Sequence, residues 1–200
     1  MADQSHPAVA RDQACDGVLP LSGDGLRVTA SPLAARFVLR GATSLPAWFG
    51  PSLPPRLGTA TAEGRAALWL GPDETLLLAP GGDAGALFAD LERDLAAQSC
   101  SLVDVSHRQA GLVVEGPLSS LCLAAGCPLD LRPSAFPVGM VARTIFFKCE
   151  IILWRRAQDC FHVEVWRSFV PYLAGQLAQA RAGTAGLPVT GGGAPAPMHW

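Results

Sequence analysis

The feature that most constrains the fold is a hydrophobic pattern that runs through the chain twice. Each pass reads as a strand, a short helical segment, a long hairpin and a closing amphipathic helix. The passes fall at about residues 26–99 and 100–183. Sheets and amphipathic helices each have an apolar face, which they must bury against another element. The pattern therefore predicts an α+β fold of two duplicated ferredoxin-like β-α-β units, with antiparallel sheets and packed helices.

The first pass predicts four elements before its closing helix. A strand at 35–40 and a helical turn at 45–49 come first, followed by two strands at 65–70 and 75–79. A Gly-Pro-Asp-Glu segment joins these two strands, because Pro presets the backbone for a turn and Asp bonds nearby amides. Asp83 then stands where it can cap the closing helix, whose large apolar residues share one face.

The second pass repeats this order with a longer hairpin. Its predicted elements are two strands, a short helix and two further strands, at 102–106, 111–115, 117–125, 144–154 and 160–166. Alternation along 144–154 gives this strand one apolar face and one mixed face that needs partial cover. Ser168 is placed to cap the closing helix, and Gly183 is placed to end it.

Composition limits the classes of function. Half of the 200 residues are hydrophobic and 16% are charged, which is enough for a sizeable core. The net charge of -2, without a basic run, argues against nucleic acid as a partner. The start has no apolar leader, and no stretch reaches the roughly 18 apolar residues of a membrane helix. We therefore expect a cytoplasmic protein without a membrane partner, whose six cysteines are free thiols.

Both ends of the chain predict tails rather than packed structure. Residues 1–25 are polar and punctuated by glycine, and residues 184–200 are rich in Gly and Pro. The predicted domain is therefore 26–183, between a flexible N-terminal tail and a disordered C-terminal tail.

Two segments invite a nucleotide-binding or catalytic interpretation, and each has a simpler alternative. Residues 81–85 follow a strand and open a helix, but they lack the glycine spacing of a phosphate-binding loop. Asp104, Ser106 and His107 are the residue types of a catalytic triad. Alternation along a strand turns the His away from the other two, and short polar side chains at a strand end commonly bond local backbone instead.

The last predicted strand carries the remaining candidates. His162 and Glu164 share one face, so they could form a general acid/base pair, or another surface could cover them. Trp and Arg side chains nearby are of the types that anchor protein interfaces, although they could equally pack between the two units. We predict a partner-binding surface made of Trp154, Trp166, Arg167 and Tyr172. No residue is predicted to be catalytic, to bind a cofactor or to hold a metal.

Five short segments carry a further signal. They are WLGPDE at 69–74, DVSHR at 104–108, AGCPLDL at 125–131, FPVG at 136–139 and FHVEVWRSF at 161–169. Together, and in this order, they resemble the gamma subunit of heterotetrameric sarcosine oxidase. The resemblance runs from about residue 26 to residue 181 and leaves out only the two tails.

A wider resemblance starts from the Asp-Val-Ser-His segment at 104–107, which precedes a strand and a Gly-Pro helix start. These features are similar to the folate-binding domain of the glycine-cleavage aminomethyltransferases, and they imply a fold of that type. Those enzymes carry paired aspartates that supply the folate-site carboxylate, whereas the hairpin strand at 144–153 has none. We therefore expect the scaffold without its folate chemistry.

The sarcosine oxidase resemblance implies a four-chain flavoenzyme that oxidatively demethylates sarcosine to glycine, forms hydrogen peroxide and passes the one-carbon unit to tetrahydrofolate. It implies alpha, beta and delta subunits as partners, with FAD, FMN, NAD and folate held on those subunits. This chain would be the non-catalytic gamma subunit, with no cofactor of its own. Two alternatives stay open: a free-standing folate-binding one-carbon protein of the aminomethyltransferase type, and a structural adaptor unrelated to amine oxidation.

Overall fold

Two antiparallel sheets pack against each other in the computed structural model, which describes residues 15–184 except 24, 51 and 63. Most of the two predicted tails, at 1–14 and 185–200, lies outside the described residues. The strands of the described chain are β1 (Leu21–Gly23), β2 (Leu26–Ala30), β3 (Leu33–Arg40), β4 (Thr59–Ala62), β5 (Arg65–Trp69), β6 (Glu74–Pro80), β7 (Ser101–Asp104), β8 (Gln109–Glu115), β9 (Val141–Phe146), β10 (Cys149–Ala157) and β11 (Cys160–Trp166). Its α-helices are α1 (Ala84–Leu95), α2 (Ser119–Ala124) and α3 (Val170–Gly183), and a 3-10 turn at Arg167–Phe169 leads into α3.

The two sheets repeat one strand order, and each includes a strand from the other half of the chain. One sheet has the order β4-β5-β6-β3-β7, and the other has the order β9-β10-β11-β8-β2-β1. β7 follows α1 in the chain but pairs with β3, whereas β2 precedes β3 but pairs with β8. The two halves are therefore joined by a reciprocal exchange of strands. The predicted α+β fold of two duplicated units with antiparallel sheets is confirmed.

Apolar side chains form three layers in this fold. Leu123 of α2 and Leu173 of α3 pack on the outer face of the six-stranded sheet. Leu91 of α1 packs on the outer face of the five-stranded sheet. Leu78 and Ile152 belong to the third layer, which lies between the two sheets. The order of layers is helix, sheet, sheet, helix, so the inner face of each sheet is shielded from solvent.

Most predicted elements are present at their predicted places. The confirmed strands and helix are β3, β5, β6, β8, β11 and α1. The predicted cap of α1 is also confirmed, because the Asp83 side chain accepts a hydrogen bond of 2.9 Å from the amide of Ala86. The segment predicted as a helical turn at 45–49 makes a single turn, in which the amide of Phe49 donates to the carbonyl of Pro46.

Two local predictions need correction. The strand predicted at 144–154 is two strands, because the chain reverses at Phe147, whose φ is 50°. Phe146 and Cys149 pair across this reversal. Ser168 does not cap the last helix: it lies in the 3-10 turn, and α3 begins at Val170 without a side-chain cap.

The packed structure extends further toward the N-terminus than residue 26. β1 pairs with β2, and the side chains of Val18, Leu19 and Leu21 pack against the core under α2 and α3. Apolar residues between the glycines of this segment therefore add to the fold.

Candidate functional site

A cluster of charged and polar side chains lies between the two sheets. Arg36 comes from β3 in one sheet, and His162 and Glu164 come from β11 in the other. The Nε of Arg36 donates to the Oε2 of Glu164 over 2.6 Å, and the Nε2 of His162 lies 2.7 Å from the Oε1 of the same carboxylate. One glutamate therefore binds a guanidinium with one oxygen and an imidazole with the other.

Local sequence explains how this cluster forms. Residues two apart on a strand point to the same face, so His162 and Glu164 both face the opposite sheet. Gly111 of β8 pairs with Glu164 and leaves room for the cluster. A Cβ at Gly111 would lie 2.7 Å from the Nη2 of Arg36 and 2.7 Å from the Oε1 of Glu164. The absence of a side chain at Gly111 is therefore what allows three polar side chains to meet here.

Burial and neighbouring charge set the protonation of the pair on β11. Burial lowers the pKa of His162 below its ordinary value, against the opposing effect of the Glu164 carboxylate. Burial on its own would raise the pKa of Glu164, but the Arg36 guanidinium and the His162 hydrogen bond outweigh it and hold that pKa below its ordinary value. The cluster therefore contains an ionised carboxylate, a guanidinium and a neutral imidazole.

This arrangement suits a structural role better than acid/base catalysis. His162 and Glu164 are both fully buried, and Arg36 is 4% exposed. A general acid or base must reach a proton on its substrate, and these groups are enclosed by the two sheets. Of the two interpretations of His162 and Glu164, the structure favours a face covered by another surface. The cluster links the two sheets through a buried ion pair.

The candidate triad at the end of β7 is used for local bonding. The amide of Ser106 donates to the Asp104 carboxylate over 2.8 Å, and the Ser106 hydroxyl accepts from the amide of Arg36 over 2.9 Å. His107 is exposed. Ser106 thus satisfies backbone groups where the two halves meet, as expected for a short polar side chain at a strand end.

The structure separates the four residues predicted to bind a partner. Trp154 is 6% exposed and packs in the layer between the sheets, in the same cluster as Ile152 and Leu78. Tyr172 is half-buried and packs against the core under α2 and α3. Trp166 is 47% exposed, and Arg167 follows it at partial exposure. Trp166 and Arg167 are therefore the pair for which the partner-binding prediction still stands.

Trp166 and Arg167 line an open groove at the start of α3, which we call the entry groove. Its volume is about 730 Å³, and its lining residues are Asp16, Val18, Arg108, Trp166, Arg167, Ser168 and Pro171. The amide of Arg167 donates to the carbonyl of Arg108 over 2.9 Å, which holds the two connections side by side. Sequence reasoning missed Arg108 as a member of this surface, because it lies far from Trp166 along the chain.

Sequence reasoning also missed Arg36 and Arg155. The signal that could have identified Arg36 is its position as a charged residue in the middle of the apolar strand β3. Arg155 is 2% exposed and donates to the carbonyls of Leu131 and Phe136 over 3.1 and 2.8 Å. It therefore holds the loop between α2 and β9 against the sheet.

The described part of the chain offers neither a metal centre nor a membrane-spanning helix. It contains no group of three His, Cys, Asp or Glu side chains arranged to hold a metal ion. None of its helices is long and apolar enough to cross a membrane.

The duplicated fold is that of an aminomethyltransferase-like scaffold. It superposes on the glycine cleavage system aminomethyltransferase T from Bartonella henselae with a TM-score of 0.56 and 17% identity, over 76% of this chain and 45% of that one. The family model of the Sarcosine oxidase, gamma subunit family matches residues 32–183. The chain belongs to the sarcosine oxidase gamma subunit family.

Individual relatives agree with this assignment. The sarcosine oxidase subunit gamma of Corynebacterium sp. (strain P-1) is 34% identical over 142 residues, which is 70% of this chain and 69% of the relative. That of an Arthrobacter species is 36% identical over 125 residues, which is 62% of this chain and 61% of the relative. A chain in the solved heterotetrameric sarcosine oxidase from Corynebacterium sp. U-96, in complex with pyrrole 2-carboxylate, matches with a TM-score of 0.75 and 29% identity. That match covers 92% of this chain and 95% of the other.

Proposed function

We propose that this chain is the non-catalytic gamma subunit of a heterotetrameric sarcosine oxidase in the cytoplasm, with alpha, beta and delta subunits as its partners. The observation that carries the proposal is the match to a chain of a solved sarcosine oxidase over 92% of this chain and 95% of the other. The role of the chain is to support the flavin-bearing subunits, which demethylate sarcosine to glycine.

The chemistry of the buried cluster supports the non-catalytic part of this proposal. His162 and Glu164 are the acid/base pair that the sequence offers, and both are enclosed between the sheets, where they bind each other and Arg36. We propose that FAD, FMN, NAD and folate are held on the partner subunits, and that the absorbance and the redox chemistry of the complex belong to those chains.

Co-purification tests the proposal directly. The tagged chain is isolated from its native cell, and we expect the co-eluting proteins to include the flavin-bearing subunits of sarcosine oxidase. The complex should consume sarcosine and form hydrogen peroxide, whereas the isolated chain should be colourless and inactive. Isolation of the chain without flavoproteins, or sarcosine-dependent peroxide formation by the chain alone, would contradict the proposal.

The aminomethyltransferase fold is also compatible with a second candidate function, that of a free-standing folate-binding one-carbon protein. Titration of the purified chain with tetrahydrofolate separates the two. The gamma subunit role predicts no saturable binding, and the alternative predicts a site with a dissociation constant of about 1 μM or tighter. An adaptor unrelated to amine oxidation would instead co-purify with other proteins.

A further inference from the structure

The two arginines of the entry groove are brought together by the fold. Arg108 lies in the connection between β7 and β8, and Arg167 lies in the 3-10 turn before α3. The backbone hydrogen bond from Arg167 to Arg108 fixes their separation, and both side chains line the same groove. Asp16 is the acidic residue that lines the groove with them.

The side chains of both arginines lack hydrogen-bond and ion-pair partners within the described part of the chain. Ion pairs or hydrogen bonds occupy the side chains of several other arginines, including Arg36 and Arg143. No hydrogen bond or ion pair of the Arg108 or Arg167 side chain is formed among residues 15–184 as described. The chain as a whole carries a net charge of -2, so the two guanidinium groups are a local concentration of positive charge in the groove.

Trp166 gives this groove an apolar anchor. It is 47% exposed at the end of β11, while Val165 beside it is buried. Val18 and Pro171 provide apolar lining close by. Trp and Arg are enriched at the energetic centres of protein interfaces, because Trp offers a large contact area and Arg offers charge-assisted hydrogen bonds.

We propose that the entry groove docks an acidic segment of a flavin-bearing partner subunit. Carboxylates of that segment pair with Arg108 and Arg167, and an apolar side chain beside them packs on Trp166. Charge complementarity selects this occupant, because the groove offers two unpaired guanidinium groups next to an apolar surface. This inference rests on the function proposed above and adds the surface and the chemistry of the partner.

The experiment uses the chain co-expressed with the flavin-bearing subunits. Three variants are compared with the wild type: Arg108→Glu, Arg167→Glu and Trp166→Ala. The measurements are the co-elution of flavin absorbance with the chain and the dissociation constant between the chain and the flavin-bearing subunits. Arg56→Glu is the matched control: Arg56 is exposed, lies before β4, and makes no side-chain hydrogen bond or ion pair among the described residues. Its neighbour Leu57 contacts the start of β9, at the edge of the six-stranded sheet rather than at the groove.

We expect each groove variant to weaken association by about tenfold or more, and the control to stay within about twofold. Each variant should keep the thermal melt of the wild type, because all four side chains are at least partly exposed. Should a glutamate variant fold poorly, Arg108→Gln and Arg167→Gln replace it and should weaken association while flattening its dependence on salt. A photo-crosslinker at position 166 should capture an Asp- or Glu-rich peptide of a flavin-bearing subunit.

The outcomes separate the two proposals. A wild-type chain that co-elutes with flavoproteins, together with groove variants that bind as well as Arg56→Glu, overturns the docking surface and leaves the proposed function standing. Cross-linking at position 166 to a basic segment, or to no partner subunit in an assembled complex, also overturns it. A wild-type chain that does not associate with flavoproteins overturns both.

Discussion

The Nε of Arg36 lies 2.6 Å from the Oε2 of Glu164, although the two residues belong to different sheets and are 128 positions apart in the chain. Their side chains are 5% and 0% exposed. A buried charge without its partner is strongly unfavourable, so sliding one sheet over the other would cost the energy of two unpaired ions. The pair therefore fixes how the two halves are aligned.

Breaking this pair should destabilise the fold in a way that depends on which charges remain. We expect Glu164→Gln and Arg36→Met to lower the free energy of unfolding by about 3 to 5 kcal/mol each, because each leaves one buried charge unpaired. The double variant should lose less than the sum of the two. Urea denaturation measures all three. As a control, Arg27→Ala removes an exposed ion pair and should cost less than about 1 kcal/mol. Additive losses in the double variant would show that the pair is not coupled.

Gly111 should tolerate no side chain. In Gly111→Ala the new Cβ would lie 2.7 Å from both Arg36 Nη2 and Glu164 Oε1, so the ion pair must shift. We expect a loss of about 1 to 3 kcal/mol in the free energy of unfolding. Gly175→Ala is the matched control, because nothing lies within 4 Å of its Cβ in α3 and alanine favours helix by about 1 kcal/mol. Equal effects of the two substitutions would contradict this account of Gly111.

Acid should destabilise the protein in two steps. His162 has a lower pKa in the fold than its ordinary 6.5, so its contribution to stability is complete above pH 6.5 and is lost as pH falls below it. Glu164 also has a lowered pKa, so its contribution is lost as pH falls below 4.5. In both cases the unfolded chain binds the proton more readily than the folded chain does. The free energy of unfolding should therefore decrease on acidification from about pH 7 to about pH 5, by at most about 1.4 kcal/mol per unit from His162.

The variant His162→Gln isolates the first step. Denaturation curves at about pH 7 and about pH 5 should differ less for this variant than for the wild type, because the buried imidazole is gone. Ser168→Ala changes a side chain that does not titrate and keeps His162, so it should keep the wild-type difference. An unchanged pH dependence in His162→Gln would mean that other groups control acid stability.

The two helix starts should respond differently to loss of a polar side chain. Asp83→Ala removes the hydrogen bond to the amide of Ala86 and should cost about 1 kcal/mol of stability. Ser168→Ala should change the free energy of unfolding by less than about 0.5 kcal/mol, because Ser168 forms no cap on α3. Thermal or urea denaturation checks both. A larger cost at Ser168 than at Asp83 would reverse the structural assignment.

Local chemistry made many of the individual helices and strands predictable. Asp83 is an N-cap residue before an amphipathic run, and helix α1 begins there. The hairpin of β5 and β6 follows from apolar strands on either side of a Gly-Pro-Asp-Glu turn. The reversal at Phe147 was not predictable in the same way, because a bulky aromatic residue with positive φ gives none of the usual turn signals.

Long-range packing decided the rest. Alternation along 144–154 predicted a mixed face that needs partial cover, and only the second sheet shows that this face, which carries Trp154, is interior. His162 and Glu164 were recognised as a pair, but their third partner, Arg36, comes from the opposite half of the chain. The entry groove likewise joins Asp16, Arg108 and Trp166, whose proximity depends on the complete fold.

The reciprocal exchange of β2 and β7 means that neither half completes its own sheet, so we expect neither half to fold as an independent module. A fragment ending near residue 99 would carry β1 and β2 without the sheet they complete, and β3 would have an open edge where β7 normally pairs. The complementary fragment would have the same defect at β8. A cut between α1 and β7 in the finished protein would instead leave two polypeptides held together by each other's strands.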